Sequence, residues 1–241
     1  MCNLYGTVDR QTLRSQFSAD AGDAHWDTQV APLRQGVFVR GQGQGRAQAL
    51  VGQWGLIPPG ASQRLPTGRD GRRMSTHNAR RERLASAPTY RAAWARGQRC
   101  LIPALWFQEP YWGITLEAPM AATHNTWWRF WPADGQPWAL AGLWSEWTDP
   151  ASGAVVPSFT MITQNCDGHP LLSLMHKPDP ALPPDAQDKR TVVPLARADW
   201  DAWLHASPQE AEGLMRVPPV EAFGHGPARP DGPAPAQANL F

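Results

Sequence analysis

The feature that most constrains the fold of this sequence is the shortness of its apolar runs. QGVFVRG (35–41), QALVGQWGLIP (48–58), QRCLIPALWFQ (98–108), YWGITLE (111–117), WWRFWPA (127–133), WALAGLWSEW (138–147), SFTMITQ (158–164) and RTVVPL (190–195) are β-branched or aromatic segments bounded by Gly, Pro or Asp. Runs of that length and composition read as strands. Helical signals are fewer and short, at 9–17, 88–96, 197–206 and 208–215. No repeat of fixed period is present. The pattern predicts an α+β fold: a β-rich single domain of curved antiparallel sheets flanked by short helices. Most of the 13 tryptophans fall in the strand segments, where packing is their ordinary role, although an exposed one could stack on a base.

With 241 residues, 42% of them hydrophobic, the chain can bury a real core. It has no apolar run of ~18 residues or more, and its N-terminus lacks the basic-then-apolar pattern of a signal peptide. The expectation is a cytoplasmic, nucleoid-associated monomer with no membrane partner. Three cysteines, Cys2, Cys100 and Cys166, are odd in number and few, which argues against a disulfide framework. From Phe223 the composition turns to Pro, Gly and Ala, so the predicted organisation is a domain at 2–222 and a disordered tail at 223–241. That tail ends in QANLF, where Gln237, Leu240 and Phe241 match the Gln-x-x-Leu-Phe peptide by which bacterial replication and repair proteins hold the sliding clamp. The alternative is a tail that folds back on its own domain.

Residues 68–83 hold Arg69, Arg72, Arg73, Arg80, Arg81 and Arg83 against Asp70 and Glu82. Guanidinium groups grip phosphate oxygens with two prongs, so the patch suits phosphate contact; a solvated arginine-rich loop is the alternative. Lys177 and Lys189 are the only lysines, which leaves few amines for imine chemistry.

The second residue supplies a different amine. Met1 precedes the small residue Cys2, the condition under which initiator methionine is removed, and the mature chain would then begin at Cys2. An α-amine titrates near ~7.7–8.0 against ~10.4 for lysine, so it is the readier nucleophile for an aldehyde. Once an imine forms, the thiol of the same residue can close on its carbon to give a five-membered thiazolidine. Glu109 stands in an aromatic stretch, a setting in which burial raises a carboxyl pKa and makes a general acid. His176 ends a strand-and-turn segment, where an acid/base group can be presented. Each also has an ordinary reading: Glu109 as a rim carboxylate, His176 as a satisfied core histidine, Asn78 as a turn residue.

Taken together and in this order, MCNLYG, QWGLIP (53–58), HNARRE (77–82), RCLIPALWFQEP (99–110), AGLWSEW (141–147) and FTMIT…HPLLSLMHKP…KRTVV resemble the SRAP domain family of SOS response-associated peptidases and abasic-site processing proteins. The resemblance covers about residues 2–206. It implies a β-rich domain that binds single-stranded DNA, crosslinks to an abasic site through its N-terminal cysteine, and removes its own initiator methionine. By this resemblance Cys2 is the nucleophile and Asn78 orients the Cys2 end and the opened sugar. Glu109 acts as acid/base in ring opening and imine formation, and His176 assists proton transfer and reversal. Arg80 holds a phosphate, with Arg190 as a further DNA contact; Arg72 and Arg73 of the arginine-rich patch are expected to bind DNA as well. No cofactor and no metal are implied.

The chain departs from the family pattern in three places. Leu4 stands where many members carry Arg, Gln108 stands where many have Tyr, and the common His-x-Arg-Met-Pro run is interrupted after His176-Lys177-Pro178, with Arg190 the candidate replacement beyond an inserted loop. Three other readings stay open. One is a cysteine-type peptidase in which Cys2 attacks a peptide bond with His176 as base. Another is a metal module of Cys166, His169 and His176, and the third is a non-enzymatic DNA-binding protein.

Overall fold

Residues 2–43, 46–68, 70–112 and 126–228 are described by the computed structural model. The strands are β1 (Leu4–Gly6), β2 (Gln29–Val30), β3 (Gln35–Gly41), β4 (Ala47–Trp54), β5 (Asn78–Arg80), β6 (Arg99–Ala104), β7 (Trp106–Tyr111), β8 (Thr126–Pro132), β9 (Trp138–Thr148), β10 (Val155–Asn165), β11 (Arg190–Val192), β12 (Pro194–Leu195) and β13 (Phe223–Pro227). The helices are α1 (Arg10–Phe17), α2 (Arg91–Ala95), α3 (Trp200–His205) and α4 (Pro208–Leu214). Asp9 caps α1 by accepting the Thr12 N–H, and α4 opens with a reciprocal Ser207–Glu210 capping box.

Strands β10, β4, β3, β6 and β9 are hydrogen-bonded in that order, and β9 returns to β10, so the five close into a barrel. Strand β5 extends the line of β4 along β10, and both of these pairings are parallel. Against the barrel lies a five-stranded antiparallel sheet in the order β13-β8-β7-β1-β2.

Alternate residues of the barrel strands serve two different cores. Val37, Val39, Leu101, Ala141, Leu143 and Ile162 pack with residues of the helices such as Leu13, Trp94 and Trp203. Phe38, Ile102, Leu140, Phe159 and Met161 pack with Tyr5, Phe107 and Phe130 of the second sheet. Both faces of each strand are therefore buried, which is why these segments read as unbroken apolar runs rather than as an alternation.

The run at 98–108 is two strands rather than one. At Leu105, whose N–H donates to the Gly6 carbonyl at 2.8 Å, the chain leaves the barrel and enters the other sheet. The run at 190–195 splits in the same way, β11 pairing with β10 and β12 with β9. Strands β1, β2 and β5, two or three residues each, are too short to carry a period of their own.

Residues 223–227, assigned by composition to the tail, form β13 along β8, and the ordered domain runs past position 222. Phe223 packs edge-on against Phe130 and His225 stacks on Trp128, while the intervening Gly224 lies under the Trp131 ring, whose Nε1 would be 2.0 Å from an added Cβ. Here glycine marks a tight aromatic contact rather than flexibility. Residues 113–117 of the predicted strand at 111–117 lie outside the described residues, as do Arg69 and the clamp-like Gln237, Leu240 and Phe241.

Gly142, on β9, pairs with Cys100 of β6 on one side and Met161 of β10 on the other. A Cβ there would lie 2.7 Å from Ile102 Cδ1, 2.8 Å from the Thr160 carbonyl and 2.9 Å from Cys100 Sγ. Gly142→Ala is therefore expected to destabilise the domain by about 1–3 kcal/mol, the usual cost of overpacking. Chemical denaturation followed by tryptophan fluorescence would show the lowered midpoint.

Candidate functional site

Pairing with β7 in the register Leu4↔Gln108 and Tyr5↔Phe107 carries the start of the chain into the interior, and Cys2 is wholly buried. Its carbonyl accepts a 2.8 Å hydrogen bond from Asn78 Nδ2, and its sulfur donates to the Leu4 carbonyl at 3.4 Å. Asn78 is itself fixed by the pairing of β5 with Met161 and by the Tyr90 hydroxyl, which donates to its carbonyl. The Asn78 Oδ1 atom is buried and has no hydrogen-bond partner among the described residues.

Glu109, 1% exposed on β7, faces the same place. His176 Nε2 lies 3.4 Å from Glu109 Oε2 and 2.9 Å from the Arg190 carbonyl. A carbonyl only accepts, so Nε2 carries the hydrogen. The His176 backbone is left-handed, φ 63°, an unusual state for a side chain of that size. It is held there from both sides: its N–H donates to the Pro110 carbonyl at 2.7 Å, and Lys189 Nζ donates to its own carbonyl at 2.6 Å.

Burial dominates the electrostatics of this pocket. It pushes the Cys2 thiol well above the ordinary thiol range, and the Glu109 charge adds to the effect. The Cys166 thiol is raised to about 12 by burial, with Glu109 and Asp167 contributing. Burial lowers His176 against the opposing pull of Glu109, and lowers Lys189 likewise. The site thus presents a protonated thiol and a neutral imidazole near neutral pH.

Cys2, Asn78, Glu109 and His176 come together, although they lie on a chain end, two strands and a turn. Arg80 and Arg190 meet through a shared carboxylate, Asp188, and Arg190, 8% exposed, is also held by Glu82. Arg72 and Arg73 are exposed on the turn closed by the Thr67–Arg73 bridge.

Two contributors were not singled out by sequence reasoning. His77, in the HNARRE segment, meets Asn3 Oδ1 through Nε2 at 3.0 Å and Ser75 Oγ through Nδ1 at 3.1 Å. Lys189, one of two lysines, is the clamp on His176; its rarity was the available signal. In the metal reading, His169 has both ring nitrogens committed to backbone, accepting from Leu171 and Leu172 and donating to the Pro218 carbonyl. No group of three or more potential ligands is arranged for a metal among the described residues. No helix among them is long and apolar enough to cross a membrane.

A sequence model of the SOS response associated peptidase (SRAP) family matches residues 1–227. Among solved structures, a protein from Bordetella bronchiseptica is 30% identical, with a TM-score of 0.79 over 95% of this chain and 100% of the other. A Bacteroides thetaiotaomicron protein, 16% identical, shares the fold with a TM-score of 0.73 over 95% of this chain and 93% of its own. A phage-related protein from Bordetella bronchiseptica does so at 17% identity and a TM-score of 0.61, over 95% and 94% of the two chains. No curated protein matches the chain.

His77 yields a pH prediction. Burial lowers its pKa from 6.5 to about 4, so between these values the unfolded chain binds a proton that the folded chain does not. Stability should therefore fall as pH drops from about 6.5 towards 4, by an amount on the order of 3 kcal/mol from this residue. In His77→Gln the slope of unfolding free energy against pH over this interval should flatten, as measured by urea titrations.

Proposed function

We propose that this chain, which belongs to the SOS response associated peptidase (SRAP) family, captures abasic sites in single-stranded DNA by forming a thiazolidine with the amine and thiol of Cys2. The observation that carries the reading is the grip of Asn78 Nδ2 on the Cys2 carbonyl, which holds the residue beside Glu109 inside the fold. A cysteine needed only for packing would not require its backbone to be oriented by a buried amide.

The chemistry starts with Met1 removed. The free Cys2 amine attacks C1 of the ring-opened deoxyribose, and the resulting carbinolamine loses its hydroxyl as water to leave an imine. Glu109 gives and takes the protons of ring opening and dehydration, and His176, with Nε2 3.4 Å away, relays a proton to it as Nδ1 takes another up. Cys2 Sγ then adds to the imine carbon while its proton passes to the nitrogen, closing the ring with no oxidant or reductant. A thiol kept protonated by burial supplies that proton and is slow to react before the imine forms. The unpartnered Asn78 Oδ1 is positioned to accept from the carbinolamine hydroxyl or the ring N–H. Release of Met1 by the same site is the second activity of this reading, with Cys2 as the nucleophile and His176 as its base.

Arg80 lies two residues beyond Asn78 on β5, on the same strand face and ~6–7 Å along it, a reach comparable to the next phosphate of an extended strand. It would hold backbone charge without reading sequence, as would the exposed Arg72 and Arg73.

The test incubates the mature protein with single-stranded DNA carrying one abasic site and looks for an adduct that survives denaturing electrophoresis. Wild type should form it, whereas Cys2→Ala and a form that retains Met1 should not; an equal adduct with Cys2→Ala would overturn the proposal. Glu109→Gln should slow adduct formation by about 100-fold, the scale of one general acid/base. His176→Gln should alter chiefly the rate of release when excess competitor is added.

A further inference from the structure

Asp188 is held in place by its neighbours. Its backbone is left-handed, φ 54°, and the Asp167 carboxylate accepts both the Asp188 N–H at 3.0 Å and the Lys189 N–H at 2.8 Å. Its side chain, so aimed, accepts from Arg80 Nη1 at 2.8 Å and also binds Arg190 Nη2. Glu82 takes Arg190 independently, through Nη1 at 2.8 Å and through Nη2. Removing Asp188 would therefore leave Arg190 paired and release Arg80. Arg80 and Asp188 are 47% and 38% exposed, so a strand could reach the pair, whereas Arg190 is 8% exposed.

Resting on the reading of single-stranded DNA as the substrate, we propose that Asp188 is a resident substitute for a backbone phosphate. It occupies Arg80 in the free protein, and a DNA phosphate must displace it. A carboxylate and a phosphate offer the same guanidinium the same kind of oxygen acceptors, so the exchange replaces one ion pair by another and leaves the displaced carboxylate beside the phosphate, which lowers the net gain of each encounter. Undamaged strands, which gain nothing else at the site, then bind weakly. A strand with an abasic site is retained by the covalent step. The carboxylate comes from the loop inserted between His176 and Arg190, so this device belongs to a feature in which the chain departs from the family pattern.

The experiment measures binding of an intact single-stranded oligonucleotide, which has no aldehyde, by fluorescence anisotropy at several salt concentrations. The proteins are wild type, Asp188→Asn, Asp188→Gly, Arg80→Gln and the Arg80→Gln/Asp188→Asn double variant. Glycine suits the left-handed backbone, so Asp188→Gly removes the carboxylate without straining the loop. Both Asp188 variants should bind about two- to fivefold more tightly, the scale of one exposed ion pair. The slope of log affinity against log salt should steepen by up to about 0.7, because no displaced carboxylate is left to take up a cation when the phosphate binds Arg80. Arg80→Gln should cost more in the Asp188→Asn background than in wild type. Binding by wild type with no gain in either Asp188 variant would overturn this role, as would a gain that survives Arg80→Gln. No binding by any of the five proteins would overturn the nucleic-acid reading itself and this proposal with it.

Discussion

The site depends on one hydrogen bond, from Asn78 Nδ2 to the carbonyl of Cys2, which holds a chain end inside the protein. Chain termini ordinarily fray, because few contacts repay the entropy of ordering them. Here β1 supplies those contacts. It is only three residues long, yet it lies between β7 and β2, and Tyr5 beneath it is wholly buried against Trp54. With both neighbours paired, β1 fixes where the residues just before it lie, and Asn78 takes the Cys2 carbonyl.

Burial then shapes the chemistry of the groups gathered around that end. A thiol, an imidazole and an amine in water would titrate near their ordinary values; in this pocket desolvation raises Cys2 and Cys166 and lowers His176 and Lys189. Each shift favours the neutral form. Glu109 is the charge around which they are arranged, raising both thiols and pulling His176 the other way. The left-handed backbone of His176 belongs to the same arrangement, since Pro110 and Lys189 hold a conformation that would otherwise relax. A second, more exposed electrostatic unit of Arg80, Asp188, Arg190 and Glu82 stands beside it, with every guanidinium answered by a carboxylate.

The barrel strands were legible because burial on both faces makes each of them a distinct apolar run, and β3 coincides with the predicted segment 35–41. The split at Leu105 was not, because the residues on both sides of it are apolar and the switch is made by the Gly6 carbonyl, nearly a hundred residues away in the chain. Phe223–Pro227 misled for the opposite reason. Glycine and proline read as tail, but Gly224 is the space into which Trp131 fits. Of the candidate site, Cys2, Asn78, Glu109 and His176 could be named from their motifs. Arg190 could be named too, but not its pairing with Glu82, since an ion pair between residues 108 apart leaves no local trace.

By itself the sequence determined the chemistry on offer: a cysteine at the second position, two lysines against an arginine-rich remainder, and strands too short for anything but a β-rich domain. Local composition is enough for that, because side-chain reactivity and strand length are properties of neighbouring residues. Only the tertiary structure decided which of those groups meet, how far burial moves them, and that Asp188 rather than solvent faces Arg80. Those outcomes depend on register and sheet closure, which bring together strands distant in the chain, and on desolvation, which does not exist until the core has formed.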